Sequence, residues 1–194
     1  MTKGEQTRKA ILDAAIVRFA RDGFRSTSVA DIARDASVSG TLAYNYFPNK
    51  EALFLAAVDE DSASLINLAV AHLHEFVDTD SSWRTTLLLM LLDAVEDHPL
   101  ARRLLGGLEP EVTFRVLEIP ALEELRKIVA KRIHNEQMSG LMRPDIDPVQ
   151  VGNGLVSIFL SLLMSVVQLG REAAVEYGAG VIAVMEAALL PPRN

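Results

Sequence analysis

Residues 28–50 read SVADIARDASVSGTLAYNYFPNK, two short amphipathic segments joined by a tight polar turn, the second ending in aromatic side chains. Ser28 is placed to cap a first short helix, with Asp31 three residues on in a weakened capping-box position, and Val29, Ile32, Ala33 and Ala36 supply its buried side. The sequence SVSG at 37–40 then breaks the chain. Val38 turns inward, Ser39 caps the next helix, and Gly40 leaves the backbone open. On that next helix Ala43 and Phe47, four apart, mark the core side, so Thr41 and Asn45 fall nearly opposite and Leu42, Tyr44 and Tyr46 lie on the flanks. Pro48 stops the helix and Asn49 caps another. The pattern is a helix-turn-helix. A face of Thr, Leu, Asn and Tyr suits nucleic acid, because Asn pairs with adenine, Leu or Thr methyls meet thymine, and hydroxyls grip phosphates.

Working outward, residues 5–21 carry Ile11, Ala15 and Phe19 at a spacing of four with Leu12 and Ile16 beside them, a helix with one broad apolar face. Gly23 ends it, and Phe24 packs back on its end. C-terminal to the motif, Lys50 to about Val77 contains no Gly or Pro and keeps a helical pattern up to the polar DTDSS loop at 78–82. Further helices are expected over 83–97, stopped by Pro99, over 100–105 before the pair Gly106 and Gly107, and over 111–138 with a break near Ile119 imposed by Pro120. GLMRPDIDP at 140–148 is a loop. The last two helices span 149–169 and 173–190, the second carrying the small residues Gly178, Gly180, Ala183 and Ala187 for close helix contact. The expected architecture is all-α with about nine helices: residues 1–48 as a three-helix DNA-binding head, and residues 49–194 as a helical body.

With 194 residues, 49% of them apolar, the chain can bury a sizeable core. Having no cysteine excludes disulfides and thiolate chemistry and suits a reducing cytosol. The N-terminus has charges inside its apolar run and does not read as a signal peptide. The net charge of −7 is unevenly divided: residues 1–50 hold eight Lys/Arg against five Asp/Glu, and the remainder eleven against twenty-one, so +3 and −10. A basic head on an acidic body fits a phosphate ligand. His72 and His74 are two apart and point to different sides of a helix, and His98 and His134 are isolated. No Gly-rich phosphate loop and no Ser/His/Asp arrangement stands out. No catalytic residue, metal or cofactor is therefore expected, although an all-α enzyme stays as a minor alternative.

The run TSVADIARDASVSGTLAYNYFPNKEALF at 27–54 resembles the DNA-binding signature of the TetR (tetracycline-repressor-like) regulators. There a small-Val-Ser turn leads into an aromatic-x-aromatic-Phe helix end and a lysine opens helix four. Leu42 stands where that family often has a hydroxylic or small residue, and Ala43 where it usually has leucine. The resemblance implies that Ser39, Thr41, Tyr44, Asn45, Tyr46 and Lys50 contact DNA; Ser28, Gly40 and Leu42 are assigned to the same surface. Thr41, Leu42 and Asn45 are expected in the groove, and Ser39, Tyr44, Tyr46 and Lys50 at phosphates.

The resemblance further implies a cytoplasmic homodimer, formed through the helices at 149–169 and 173–190, and a repressor released from a pseudo-palindromic operator by a small apolar effector. Trp83, Met90, Phe114 and Met138 lie on helices that enclose the effector in similar proteins, and aromatic and thioether groups suit an apolar ligand. Ordinary core packing is the competing reading of all four. The charge-free run at 149–169 is also long enough to cross a bilayer. Gln150, Asn153, Gln168, the nearby Gly152 and Gly154, and the lack of a flanking basic cluster favour a soluble bundle over a membrane anchor.

Overall fold

The computed structural model describes residues 1–75 and 83–191; side chains at 75, 113, 114, 116, 171, 173–177 and 179 are outside the description. Among the described residues the chain is all-helical. Nine α-helices occur in order: α1 Lys3–Ser26, α2 Val29–Asp35, α3 Gly40–Tyr46, α4 Lys50–Glu75, α5 Trp83–Ala94, α6 Pro99–Leu105, α7 Pro120–Met138, α8 Pro148–Leu169 and α9 Arg171–Leu189, with 3-10 segments at Val95–Asp97 and Thr113–Glu118. The loop expected at 78–82 lies outside the described residues. Ile119 is extended between the second 3-10 segment and α7, which is the break that Pro120 imposes.

Two compact units emerge, residues 1–64 with 95–119 and residues 65–94 with 120–194. The first half of α4 and all of α6 fall in the first unit.

In the first unit, Ile11, Leu12, Ala15 and Phe19 of α1 are buried together with Ile32 and Ala33 of α2, Ala43 of α3 and Leu53, Phe54 and Ala57 of α4. Phe54 meets Phe19 edge-on at 4.9 Å between centroids and Phe24 at 4.9 Å, which adds specific ring geometry to the area buried. Helix α1 continues past its expected end, but Gly23 interrupts it with φ +79°. A Cβ there would lie 2.5 Å from Arg103 Nη2 and 3.0 Å from Glu109 Oε1. The backbone conformation therefore favours glycine, while the crowding comes from the ends of flexible side chains. Glu109 accepts from Phe24 N–H at 3.1 Å and from Arg103 Nε at 2.9 Å. The other end of α6 is held by the buried carboxylate of Asp61, which accepts from the N–H groups of Leu100 at 2.9 Å and Ala101 at 2.8 Å. A carboxylate there satisfies donors that a helix start leaves open.

In the second unit α8 packs on α7. Gly152 allows it, since a Cβ would lie 3.0 Å from the backbone nitrogen of Ala130. Leu155, Val156, Phe159, Leu163 and Val166 form the buried side of α8, and Asp147 caps it through Val149 N–H at 2.8 Å and Gln150 N–H at 3.0 Å. By length and composition α8 could cross a membrane. Its outer side, however, carries exposed Asn153, Ser157, Ser161 and Ser165, and each serine hydroxyl donates to the carbonyl four residues back at 2.9 Å. A row of small polar groups opposite a buried face is what a helix meeting water or another helix carries, whereas lipid favours an apolar surface all round.

Candidate nucleic-acid interface

Two serine caps define the motif. Ser28 Oγ accepts from Asp31 N–H at 3.2 Å and donates to Asp31 Oδ2 at 2.6 Å, so Asp31 closes the cap on the hydroxyl and its own N–H. Ser39 Oγ accepts from Leu42 N–H at 3.2 Å and starts α3. Between them Ser37 takes φ +57°, left-handed backbone in a non-glycine residue, which sets the sharp turn from α2 to α3. Ala36 and Val38 are half-buried there.

The phase of α3 then sorts its side chains. Ala43 and Phe47 are buried, and Thr41, Leu42, Tyr44 and Asn45 occupy the opposite, exposed arc, with Tyr44 53% exposed. Tyr46 is half-buried on the flank. Its hydroxyl lies 3.5 Å from where a Cβ on Gly4 would sit, against the start of α1. Gly40, in the first turn, has open space where a Cβ would project. Ser28 and Ser39 are exposed, their hydroxyls engaged in capping.

Lys50 differs from expectation. Its ammonium donates to the carbonyls of Phe24 at 2.9 Å, Thr27 at 3.0 Å and Arg25 at 3.4 Å, and lies 4.4 Å from the Phe24 ring centroid. Three donors meet three acceptors. The cause is the kinked end of α1, whose last carbonyls lack helical partners and carry the negative end of the helix dipole. Lys50 thus ties the start of α4 to the end of α1.

The charge of the head is also less available than its sum implies. Lys9 pairs with Asp13, Arg18 with Asp35 and Asp22, Arg21 with Asp22, Arg34 with Asp31 and Arg25 with Glu111. Arg18 grips Asp35 through two bonds, Nε to Oδ2 at 2.5 Å and Nη2 to Oδ1 at 3.0 Å, joining α1 to the end of α2. That guanidinium holds the Asp35 carboxyl below its ordinary value of 3.8. A depressed carboxyl stabilises the fold above its unfolded value, and the benefit is lost as pH falls through the lower folded value. Asp35→Asn should therefore lower the urea midpoint at pH 7, with the gap to wild type closing as the pH is taken below the ordinary carboxyl value and Asp35 protonates. A gap that persists unchanged in acid would remove the pair from the account.

The expected ligand-binding residues do not converge. Met138 is 77% exposed at the end of α7. Trp83 is fully buried, its indole N–H bound to Glu136 Oε1 at 2.5 Å, and Met90 is half-buried on α5. The side chain of Phe114 lies outside the described residues. A cavity of about 60 Å³ does lie in the second unit, between α5, α8 and α9, lined in part by Arg84, Leu88, Phe159, Ile182, Met185 and Leu189. Trp83, Met90 and Met138 are not among its described lining residues. Arg84, beside Trp83 in the chain, escapes a reading by residue pattern because nothing local in the sequence marks a buried cation.

Among the described residues, α2 and α3 joined by a capped turn, with an exposed polar arc on α3, form a helix-turn-helix arrangement. Residues 11–57 match the model of the tetR family of bacterial regulatory proteins. YuxN of Bacillus subtilis, an HTH-type transcriptional regulator, is 40% identical over 55 residues, 28% of this chain and 19% of its own length. YdgC of the same organism, also an HTH-type transcriptional regulator, is 26% identical over 200 residues, covering 100% of this chain and 97% of its own. A crystal structure of a TetR-family transcriptional regulator from Cytophaga hutchinsonii superimposes with a TM-score of 0.74 at 16% identity over 99% of each chain, which speaks for the fold alone. Residues 11–57 thus carry the DNA-binding domain described by the tetR family model, and over its whole length the chain is similar to an HTH-type transcriptional regulator.

Proposed function

We propose that the chain is a repressor that holds a pseudo-palindromic operator as a homodimer and releases it when a small effector binds the helical body. The observation carrying this reading is the exposed arc of α3, a base-reading face set opposite Ala43 and Phe47. Thr41, Leu42 and Asn45 read bases in the major groove. Ser39, Tyr44 and Tyr46 position the helix on the backbone, and the open space at Gly40 admits a phosphate. Residues 1–48 act as the reading head and 49–194 as the controlling body. The two-fold pairs α8 and α9 of two copies, whose exposed sides include the Asn153–Ser165 row and Gly154, Gly180, Ala183 and Ala187. A two-fold dimer then reads half-sites about one DNA turn apart, roughly 34–36 Å. Effector binding favours a state in which the two heads no longer meet both half-sites. The protein acts in the cytoplasm, where its DNA is.

Fluorescence anisotropy on DNA from the chain's own upstream region tests this. Binding should be sequence-specific and fall steeply with salt; equal affinity for unrelated DNA overturns the reading. Asn45→Ala should lose about 1–3 kcal/mol at one base pair of each half-site and relax selection there. Lys50→Met, in contrast, should lower the unfolding midpoint of the head while leaving the slope of log K against log salt as in wild type. A slope reduced by about one would return Lys50 to the phosphate contacts.

A further inference from the structure

Of the eight basic side chains in residues 1–50, five stand in ion pairs and Lys50 lies on the carbonyls at the end of α1. Lys3 and Arg8 remain, both exposed and in no ion pair among the described residues. Glu5, the acid between them, accepts from Thr2 N–H at 2.6 Å and serves the start of α1. Arg8 nevertheless has a fixed seat. Its guanidinium carbon lies 5.2 Å from the centroid of the buried Phe47 ring, and Phe47 ends α3. Gly4, one turn earlier on the same face of α1, is the residue whose Cβ would lie 3.5 Å from the Tyr46 hydroxyl. That face of α1 therefore borders the C-terminal end of α3, next to Asn45 and the exposed arc. α3 has no basic residue in its last turn, and the partial negative charge of a helix C-terminus repels phosphate. A cation over the adjoining ring offsets that repulsion, and guanidinium N–H groups match phosphate oxygens in pairs. A helix in a major groove about 12 Å wide has a phosphate strand along each side.

We propose that Arg8 of α1 is a DNA-binding residue that holds a backbone phosphate beside the C-terminal end of α3. The assignment rests on the reading that α3 enters the major groove, and adds a contact from outside the motif at 28–50. The Phe47 ring restrains the Arg8 side chain before DNA arrives, so less rotamer freedom is lost on binding. The contact reads no base; it fixes the register of α3 and adds affinity for any duplex. Lys3 has the same charge and exposure but lies about 140° round the helix from Arg8, on another side of α1. It is the natural comparison.

Anisotropy titrations of the full chain against its own upstream DNA and against unrelated DNA, repeated over a series of salt concentrations, give the slope of log K against log salt. Arg8→Gln should reduce that slope by about one per bound protomer. It should weaken both DNAs by the same factor and keep the base preferences of wild type. Arg8→Lys, which keeps the charge, should restore the slope, and Lys3→Gln should leave it as in wild type. Urea unfolding of each variant separates the contact from the seat on Phe47, since loss of the cation over the ring moves the midpoint and only loss of a phosphate contact moves the slope. A wild-type slope in Arg8→Gln overturns the proposal. So does an equal reduction in Lys3→Gln, which belongs to a diffuse field, and so does a slope that Arg8→Lys fails to restore. A loss confined to one base pair makes Arg8 a base contact and overturns it as well. Equal affinity of wild type for both DNAs overturns the operator reading alone, and an Arg8-dependent slope then still supports the phosphate contact. Binding to neither DNA overturns both.

Discussion

Phe54→Ala should destabilise the head by about 3–5 kcal/mol, a large part of the 5–15 kcal/mol typical of a whole domain. Phe54 is 2% exposed on α4 and touches two other rings, Phe19 and Phe24, each at 4.9 Å. Its removal takes away an edge-to-face pair and leaves a void that α1 and α4 cannot close without moving. α1 is the surface on which α2 and α3 rest, so the reading helix should lose its seating and DNA binding should disappear with the fold. Urea unfolding followed by circular dichroism measures the loss. Phe54→Leu, which keeps much of the volume, should lose clearly less. A cost below about 1 kcal/mol for Phe54→Ala would mean that the aromatic cluster does not hold the head.

Glu136→Ala should cost about 3–5 kcal/mol in the other unit, because it breaks a buried ion pair by taking one partner only. Glu136 joins the Trp83 indole N–H at 2.5 Å and Arg84 at 2.9 Å, with Arg132 Nε at 3.9 Å. Both Arg84 and Arg132 carry their guanidinium carbons close over the Trp83 ring, at 5.1 and 5.2 Å from its centroid. Without the carboxylate the cations sit in a low-dielectric site and the indole N–H loses its acceptor. The sequence has one tryptophan, so its emission reads the site directly: it should shift to the red in Glu136→Ala and the unfolding midpoint should fall. Glu136→Gln, which keeps an acceptor for the indole, should fall between. Wild-type stability in Glu136→Ala would show that hydration takes the place of the pair at no cost.

The local grammar of the chain was legible from its order of residues. Ser28, Ser39 and Asn49 cap helices, Gly23 and Pro120 interrupt them, and a spacing of four separates Ala43 and Phe47 from Asn45, because a cap bonds within three residues and a helical face repeats every 3.6. The motif at 28–50, and with it the family, is set by such short-range rules. The cavity between α5, α8 and α9 is not legible in the sequence: residue type and a place on the right helices, which pointed to Trp83, Met90, Phe114 and Met138, do not say which side of a helix a neighbour will cover.

Tertiary structure alone decided the rest. Lys50 is bound to the end of α1 by carbonyls 23 to 26 residues earlier in the chain. Asp61 finds the start of α6 about forty residues on, and Glu136 finds Trp83 across 53. A charged side chain buried by packing takes whatever donor or acceptor the packing brings within about 3 Å, since leaving it unpaired costs more than most single contacts contribute. The sequence names the charge; only the arrangement of helices names its partner.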